Sequence, residues 1–329
     1  MAELSRLGSG SFLVLGRAGM DLYADPPGTR IEEATRFTTA LGGSAANIAV
    51  ALVRQGCRAA LLSRVSEDAV GRFCLAQLDA YGVDRRHVRL QTGEDRTSLA
   101  VVETRAEDCQ TVIYRNQAAD FSLTPRDVEA VDYSAFSALV ATGTALAAEP
   151  SRSATFRAFD LARAAGLPLV LDLDYRAYSW PSQDIARATY AKAAALCDVV
   201  VGNDVEFGVL AGDPAHGLDA ARALVAGGTE IAVYKMGPEG AITLTKGQDF
   251  ATGIYAVTAL KPTGAGDAFL GGFLAALAKG QNLRTAVLRG SAAAALVVTR
   301  IGCAPAMPDR AELDRFLSHN PEPTAGADR

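Results

Sequence analysis

The chain has 329 residues, of which 49% are hydrophobic, which is enough to bury a large core. Its net charge of −5, without any block of basic residues, argues against nucleic acid as a partner. No apolar run approaches the roughly 20 residues that span a bilayer, so we expect no membrane association.

The first predicted strand, residues 12–16, is followed by a set of small and polar residues. Asp21 comes shortly after the strand's carboxyl end, where open α/β sheets bind their ligands. Gly42 and Gly43 then precede an amphipathic run that predicts a helix. Adjacent glycines let a ligand approach the backbone closely, and Asn47, one turn into the helix, can present its amide to a hydroxyl.

Two segments, residues 22–40 and 96–116, depart from helical spacing and are rich in Thr, Val, Phe, Tyr and Arg. Within the second, residues 97–103 and 109–114 are predicted strands joined by a polar turn. The residues alone are consistent with edge strands of the main sheet.

Strands and helices alternate elsewhere, as in the predicted helix 153–165 before the predicted strand 168–174. This alternation is typical of a parallel sheet. Two later strands, 199–202 and 231–235, end at polar or glycine-rich junctions. The candidate ligand-binding residues at these junctions are Asn203, Glu206, Lys235, Gly237 and Gly240.

Residues 261–274 are the most informative stretch of the chain. The alternating apolar segment 254–260 predicts a strand leading into it, and residues 268–277 are compatible with a helix. Uncovered N–H groups at a helix N-terminus attract anions. Asp267 either caps this helix or accepts a proton from an alcohol that attacks a bound phosphoryl group. The predicted anion cradle consists of Gly264, Ala265 and Gly266.

Together these motifs resemble the ribokinase (PfkB) family of carbohydrate kinases over residues 10–318. The resemblance is carried by the early Gly-Gly pair, then Asn-x-x-Glu at 203–206, Gly-x-x-Gly at 237–240 and Gly-Ala-Gly-Asp at 264–267. It implies a ribokinase-like three-layer α/β/α fold with a mainly parallel central sheet plus a small β-sheet lid. The implied activity is phosphoryl transfer from ATP to a sugar.

The resemblance implies one kinase domain at 10–318. Glycine, serine and proline near the two ends predict flexible tails at 1–9 and 320–329. The segments 22–40 and 96–116 would form the lid, which excludes water from the reaction and makes a homodimer interface.

The resemblance also implies a role for each candidate residue. Asp267 would be the catalytic base, helped by the N–H groups of Gly264, Ala265 and Gly266. Substrate hydroxyls would be bound by Asp21, Gly42, Gly43 and Asn47. Mg²⁺ would be held mainly through water near Asn203 and Glu206, and the nucleotide would lie along Lys235, Gly237 and Gly240.

Two arginines indicate that the substrate is a sugar acid. Arg115 follows a Tyr at the end of a predicted lid strand, and Arg176 lies just past another strand, as in family members that act on ketodeoxygluconate. A guanidinium forms paired hydrogen bonds with a carboxylate. The alternatives are a solvated lid charge for Arg115 and a structural salt bridge to Asp172 or Asp174 for Arg176.

The stretch Lys261-Pro262, with residues 174–180 and 306–308, resembles the family branch that phosphorylates 5-dehydro-2-deoxygluconate in myo-inositol catabolism. The 2-dehydro-3-deoxygluconokinases are the alternative. Many family members have an Asp in place of Lys261, where it helps bind potassium. The ammonium of Lys261 could replace that cation, or the side chain could turn outward toward nucleotide or solvent.

Other classes of protein fit less well. Residues 16–19 lack the glycine spacing of a dinucleotide-dependent oxidoreductase, and a non-catalytic sugar-sensing module would have no reason to keep Asp267. Five scattered cysteines and no apparent signal peptide predict a cytoplasmic location.

Overall fold

The computed structural model describes residues 4–324. Strands β1 to β13 lie at Ser11–Leu15, Gly19–Asp25, Arg36–Gly42, Arg58–Ser66, Asp84–Gln91, Ser98–Val102, Thr111–Tyr114, Ala138–Thr142, Leu169–Asp172, Val199–Asn203, Ile231–Lys235, Ala241–Leu244 and Asp249–Thr252. Helices α1 to α10 lie at Ser44–Arg54, Ala69–Tyr81, Pro125–Glu129, Ser151–Ala164, Gln183–Ala194, Asp204–Ala211, Gly217–Gly227, Ala265–Ala278, Leu283–Val298 and Arg310–His319.

The central sheet has nine strands in the order β13-β12-β11-β10-β9-β8-β1-β4-β5. It is parallel from β5 to β11, while β12 and β13 continue it as antiparallel strands. On β1, Leu13 pairs with Ala60 of β4 and Leu139 of β8. The carboxyl ends of the parallel strands therefore meet along one edge, where ligands bind in this class of sheet.

Helices cover both faces of this sheet because alternate strand residues point to opposite sides. On β1, Phe12 and Val14 enter the core shared with α1, α2, α8, α9 and α10. Leu13 and Leu15 enter the core shared with α3 to α7. Because these strands are buried on both faces, their sequences are continuous apolar runs. The expected three-layer α/β/α architecture is confirmed.

A second sheet has four strands in the order β3-β2-β6-β7. The central strand β2 pairs antiparallel with β3 and parallel with β6, so Asp21 lies between Ala40 and Ala100. This confirms the small sheet predicted from residues 22–40 and 96–116. The alternative of edge strands on the main sheet is wrong, because these strands pair with one another.

Two local predictions differ from the structure. Residues 253–260 form no strand, although exposed Ile254 and buried Tyr255 show the expected alternation. This segment follows β13 at the end of the sheet and pairs with no strand. Asp21 lies within β2 and not in a loop after β1, since the chain turns directly into the lid sheet.

Helical secondary structure begins before residue 10. Residues Leu4–Ser9 form a 3-10 helix, and the Leu7 side chain is buried against the core. At the other end, Glu322 forms an ion pair with Arg284 over 2.6 Å. The rest of the two expected tails, residues 1–3 and 325–329, lies outside the described residues. No helix in residues 4–324 has the length and apolar character needed to cross a bilayer.

Candidate active site

A cavity of about 860 Å³ lies at the carboxyl edge of the sheet, between the ends of β9 to β11 and the N-terminus of α8. Gly264 precedes that helix with φ +85°, a left-handed conformation that suits glycine. The first turn of α8 therefore points its free N–H groups at the cavity, as the sequence predicts. The predicted site residues in its wall are Arg176, Asn203, Glu206, Lys235, Gly237, Gly240, Gly264, Ala265, Gly266 and Asp267.

Asp267 lies in the first turn of α8, and its carboxylate has a hydrogen-bond donor and several charged groups as neighbours. Oδ2 accepts a hydrogen bond of 2.8 Å from Nδ2 of Asn47. Removal from water, and secondarily the nearby charge of Asp174, raise the pKa of Asp267 to about 7, against the opposing effects of Asn47, Arg176 and Lys235. A carboxylate with this pKa can exchange a proton with a hydroxyl near neutral pH.

Asp172 and Asp174 also line the cavity, and the sequence analysis gave neither of them a catalytic or binding role. Burial raises the pKa of Asp172 well above its usual value, and the nearby carboxylates of Asp174, Glu206 and Asp267 add to this rise. Asp174 has φ +37°, unusual for a residue with a side chain. The signal available in the sequence was the position of both residues at the end of a buried strand.

The Asn-x-x-Glu motif forms a capping box at the start of α6. Asn203 Oδ1 accepts from the Glu206 N–H at 2.8 Å, and Glu206 Oε2 accepts from the Asn203 N–H at 2.7 Å. Glu206 Oε1 also accepts from the Tyr175 N–H at 3.2 Å. Burial raises the pKa of Glu206. The motif thus has a structural role and places both residues in the cavity wall.

Lys235 and two glycines border the same cavity. The Lys235 Nζ lies 3.4 Å from the position that a Cβ at Gly266 would occupy, so its ammonium is beside the anion cradle. At Gly240, with φ +94°, a Cβ would lie 2.0 Å from the carbonyl oxygen of Thr252. Packing against the neighbouring strand therefore requires glycine there, while Gly237 faces open space.

The residues predicted to bind sugar hydroxyls lie beside this cavity, outside the wall described above. A Cβ at Gly42 would lie 2.0 Å from the Asp21 carboxylate, which therefore packs on the Gly42 backbone. Tyr23 donates a hydrogen bond of 3.1 Å to Asp21 Oδ2. Asn47 connects this group to Asp267, so the structure brings these residues close to the N-terminus of α8.

Arg115 and Arg176 each have a carboxylate partner. Arg115 is buried and pairs with Asp120, so its alternative interpretation as a solvated charge is wrong. It also donates to the Thr144 carbonyl at 3.1 Å, while its Nε and Nη1 have no partner. Arg176 Nη2 lies 2.8 Å from Asp174 Oδ1. This is one of the two salt bridges that the sequence analysis gave as the alternative role of Arg176. This pairing raises the pKa of Arg176.

Lys261 is completely buried, so an outward orientation is wrong. Its Nζ donates a hydrogen bond of 2.5 Å to the Thr263 carbonyl, directly before the anion cradle. Burial lowers the pKa of Lys261, although nearby Cys303, Asp21 and Asp267 oppose this shift. The ammonium therefore does contact a backbone carbonyl next to the cradle.

The remaining cavity wall is apolar, and sequence reasoning did not identify it. It combines the extended segment after β13 with one face of α9. These elements are distant in the chain, and no local pattern indicated that they meet. The principal apolar residues of this wall are Ile254, Tyr255, Val257, Ala294, Ala295 and Val298.

The comparisons with known proteins agree with this geometry. The pfkB family carbohydrate kinase model matches residues 10–310. The chain is 38% identical to a 5-dehydro-2-deoxygluconokinase of Photobacterium profundum, over 93% of this chain and 94% of that protein. It is 35% identical to a 5-dehydro-2-deoxygluconokinase of Geobacillus kaustophilus, over 94% of each chain.

Solved structures show the same fold. A fructokinase of Vibrio cholerae with bound fructose, ADP and potassium ion is 29% identical, with a TM-score of 0.83 over 94% of this chain and 99% of that chain. A PfkB protein of Polaromonas is 28% identical, with a TM-score of 0.80 over 92% and 99% of the two chains.

The fold and the cavity define a phosphotransferase, in which an anion cradle faces a carboxylate that titrates near neutral pH. The chain belongs to the pfkB family of carbohydrate kinases, and it is an ATP-dependent enzyme. The resemblance inferred from the motifs is thereby confirmed, and the oxidoreductase and the non-catalytic sensor are excluded.

Proposed function

We propose that this enzyme transfers the γ-phosphoryl group of ATP to the primary hydroxyl of 5-dehydro-2-deoxy-D-gluconate, which gives the 6-phosphate and ADP. The observation that carries the proposal is the Asp267 carboxylate, with its pKa of about 7, in the first turn of the helix that forms the cradle. The names of the relatives that are 33–38% identical support the choice of substrate.

In the proposed step, the substrate hydroxyl oxygen bonds to the γ-phosphorus while the bond from that phosphorus to the β,γ-bridging oxygen breaks. The hydroxyl proton passes to Asp267, and ADP leaves with the bridging oxygen. The N–H groups of Gly264, Ala265 and Gly266 stabilise charge on the transferring oxygens. Lys235 lies beside the cradle and adds a positive charge there.

Nucleotide and sugar would occupy opposite sides of Asp267. The glycine turn at Gly237 and Gly240, with the apolar wall of the cavity, suits the nucleoside. Asp21, Gly42, Gly43 and Asn47 would bind the sugar hydroxyls. The hydrogen bond from Asn47 to Asp267 supports this arrangement, because it joins the sugar side to the base.

The donor set fits Mg²⁺ held mainly through water and phosphate. Among residues 4–324, no group of three or more His, Cys, Asp or Glu side chains is arranged to hold a metal directly. The carboxylates of Asp172 and Glu206 share the cavity wall with Asn203, and the mutual repulsion of the acidic groups would favour a divalent cation. Bound Mg²⁺ would neutralise phosphate charge, and Asn203 and Glu206 would position its water ligands.

The substrate carboxylate distinguishes this proposal from a neutral-sugar kinase. Arg176 lies in the cavity wall and Arg115 is buried nearby with two guanidinium nitrogens, Nε and Nη1, that have no partner. Both can contribute to a site for an acid, Arg176 by exchanging Asp174 for the substrate and Arg115 through its positive charge, since its free nitrogens are enclosed.

We also propose that the enzyme is a homodimer and that the lid sheet forms its interface. Its proposed location is the cytoplasm. One face of the lid sheet exposes apolar side chains. Large contiguous apolar patches are rare on the surface of monomeric proteins and often mark interfaces. Light scattering of wild type and of a Tyr114→Asp variant would test this, since a charge at the interface should give monomers. The exposed apolar residues of this face are Phe37, Val112 and Tyr114.

The test of the activity is steady-state kinetics with ATP on a panel of substrates. The panel contains 5-dehydro-2-deoxygluconate, 2-dehydro-3-deoxygluconate, and the neutral analogue of the first acid with a primary alcohol in place of the carboxylate. We expect the highest kcat/KM for 5-dehydro-2-deoxygluconate, with phosphorus NMR placing the phosphate on the primary hydroxyl. A higher value for 2-dehydro-3-deoxygluconate would assign the enzyme to the other sugar-acid branch, and a higher value for the neutral analogue would reject both acids.

A further inference from the structure

Arg17 is a buried cation in the turn between β1 and β2. It is 9% exposed, and its carbonyl oxygen accepts a hydrogen bond from the Ala46 N–H at the start of α1. A Cβ at Gly43 would lie 2.5 Å from this oxygen. Arg17 is thus part of the same junction as the residues proposed to bind the sugar.

The guanidinium of Arg17 is incompletely paired. Nη1 donates a hydrogen bond of 3.0 Å to Ser98 Oγ on the lid strand β6. Among residues 4–324, no carboxylate oxygen lies within 4.0 Å of Arg17, whereas Arg115 pairs with Asp120 and Arg176 with Asp174. Burial of an unpaired charge is unfavourable, so this position requires a compensating interaction.

The free N–H groups of Arg17 are accessible. Its Nε and Nη2 have no hydrogen-bond partner in the described part of the chain, yet they are not among the fully enclosed polar atoms. The Nε and Nη1 of Arg115, in contrast, are fully enclosed. Two adjacent N–H groups on one edge of a guanidinium match the two oxygens of a carboxylate.

Other cationic side chains lie in the same region as Arg17. Asp21 interacts electrostatically with Arg17 and with Lys261, so two cations share one buried carboxylate there. Arg17, Arg115 and Arg176 all act electrostatically on the hydroxyl of Tyr178, which places the three guanidinium groups around one region.

We propose that Arg17 binds the carboxylate of the substrate through Nε and Nη2, and that it determines the preference for an acid over a neutral sugar. This inference rests on the proposed sugar-acid kinase activity and adds a residue to which the sequence motifs gave no role. Ser98 on the lid strand bonds only Nη1, so the edge formed by Nε and Nη2 is left for the substrate.

The experiment measures kcat/KM for 5-dehydro-2-deoxygluconate and for its neutral analogue in wild type, Arg17→Met, Arg17→Lys and Ser98→Ala. Calorimetric binding of the acid without ATP is measured in parallel. Arg17→Met keeps most of the apolar stem and removes the charge. We expect it to lower the ratio of acid to neutral kcat/KM by roughly 10- to 100-fold and to weaken acid binding similarly. Arg17→Lys should give a smaller loss, since it keeps charge without the paired geometry.

Ser98→Ala is the matched control, because it removes the hydrogen bond that the Arg17 guanidinium makes to the lid strand and leaves the charge in place. It should change the ratio by no more than about twofold. If Ser98→Ala reproduces the loss seen in Arg17→Met, Arg17 serves to attach the lid strand and the inference is wrong. Thermal melting verifies that each variant is folded, and Arg17→Lys alone decides the question if Arg17→Met does not fold.

Two further results are distinguishable. A wild type that prefers the acid, with the same preference in both Arg17 variants, overturns the role of Arg17 and leaves the proposed function intact. A wild type with no preference for the acid overturns the proposed function and the role of Arg17 together.

Discussion

Asn47 and Asp267 are 220 residues apart in the chain, and the side-chain amide of Asn47 donates a 2.8 Å hydrogen bond to the Asp267 carboxylate. The contact joins the N-terminal turns of α1 and α8, one on the proposed sugar side and one at the proposed anion cradle. A hydrogen bond to the charged form lowers a carboxylate's pKa and so opposes the effect of burial. Asn47 therefore adjusts the basicity of the proposed catalytic base.

The pH dependence of kcat should report this contact. A base with a pKa of about 7 is active when deprotonated, so kcat should fall as the pH drops below about 7. Asn47→Leu removes the donor, and the acidic limb should then move up by about one pH unit. Activity lost at pH 7 should accordingly return near pH 9. Ser44→Ala, in the same turn of α1, is the control. An unchanged limb in Asn47→Leu would show that the contact does not set the pKa.

Replacement of Asp267 tests its role as the base. Asp267→Asn keeps the side-chain shape and removes the proton acceptor. We expect kcat to fall by about a hundredfold or more, with little change in ATP affinity, because the cradle N–H groups remain. The acidic limb of the pH profile should disappear from the residual activity. Wild-type turnover in this variant would assign the base to another group.

The buried ammonium of Lys261 predicts independence from monovalent cations. It donates to the Thr263 carbonyl, so wild-type activity should be nearly equal in sodium and potassium at fixed ionic strength. Lys261→Asp should lose activity and recover part of it in potassium, since a carboxylate can ligate the ion. Lys261→Met is the matched control and should lose activity without any response to potassium. Strong activation of wild type by potassium would contradict a substitute role for the ammonium.

Closure of the lid sheet should be visible by hydrogen exchange. Substrate binding should protect amides in residues 22–40 and 96–116 more than those of the α/β core. The comparison is made with and without 5-dehydro-2-deoxygluconate in the presence of a non-hydrolysable ATP analogue. Equal protection throughout the chain, or none in these two segments, would argue against a lid that moves over the sugar.

Local sequence patterns were sufficient to predict the alternation of strands and helices and most residues that line the candidate site. The strand at Ile231–Lys235 and the helix around Gly264 follow from apolar periodicity and from glycine at a helix start. The same reasoning failed for residues 253–260, whose alternation is real although no strand lies beside them. Periodicity indicates which side chains are buried, but a strand also needs a partner.

The sequence by itself determined the family, the order of the strand-to-loop junctions and the residues that cluster at the carboxyl edge. Each of these depends on neighbouring residues in the chain, through helix caps, glycine conformations and two-residue alternation. Only the tertiary structure decided that Asn47 contacts Asp267, that Arg176 pairs with Asp174, and that no carboxylate oxygen among the described residues lies within 4.0 Å of Arg17. The contact between Asn47 and Asp267 joins two separate helices. The energies of all three features depend on burial and charge that arise only when the elements pack together.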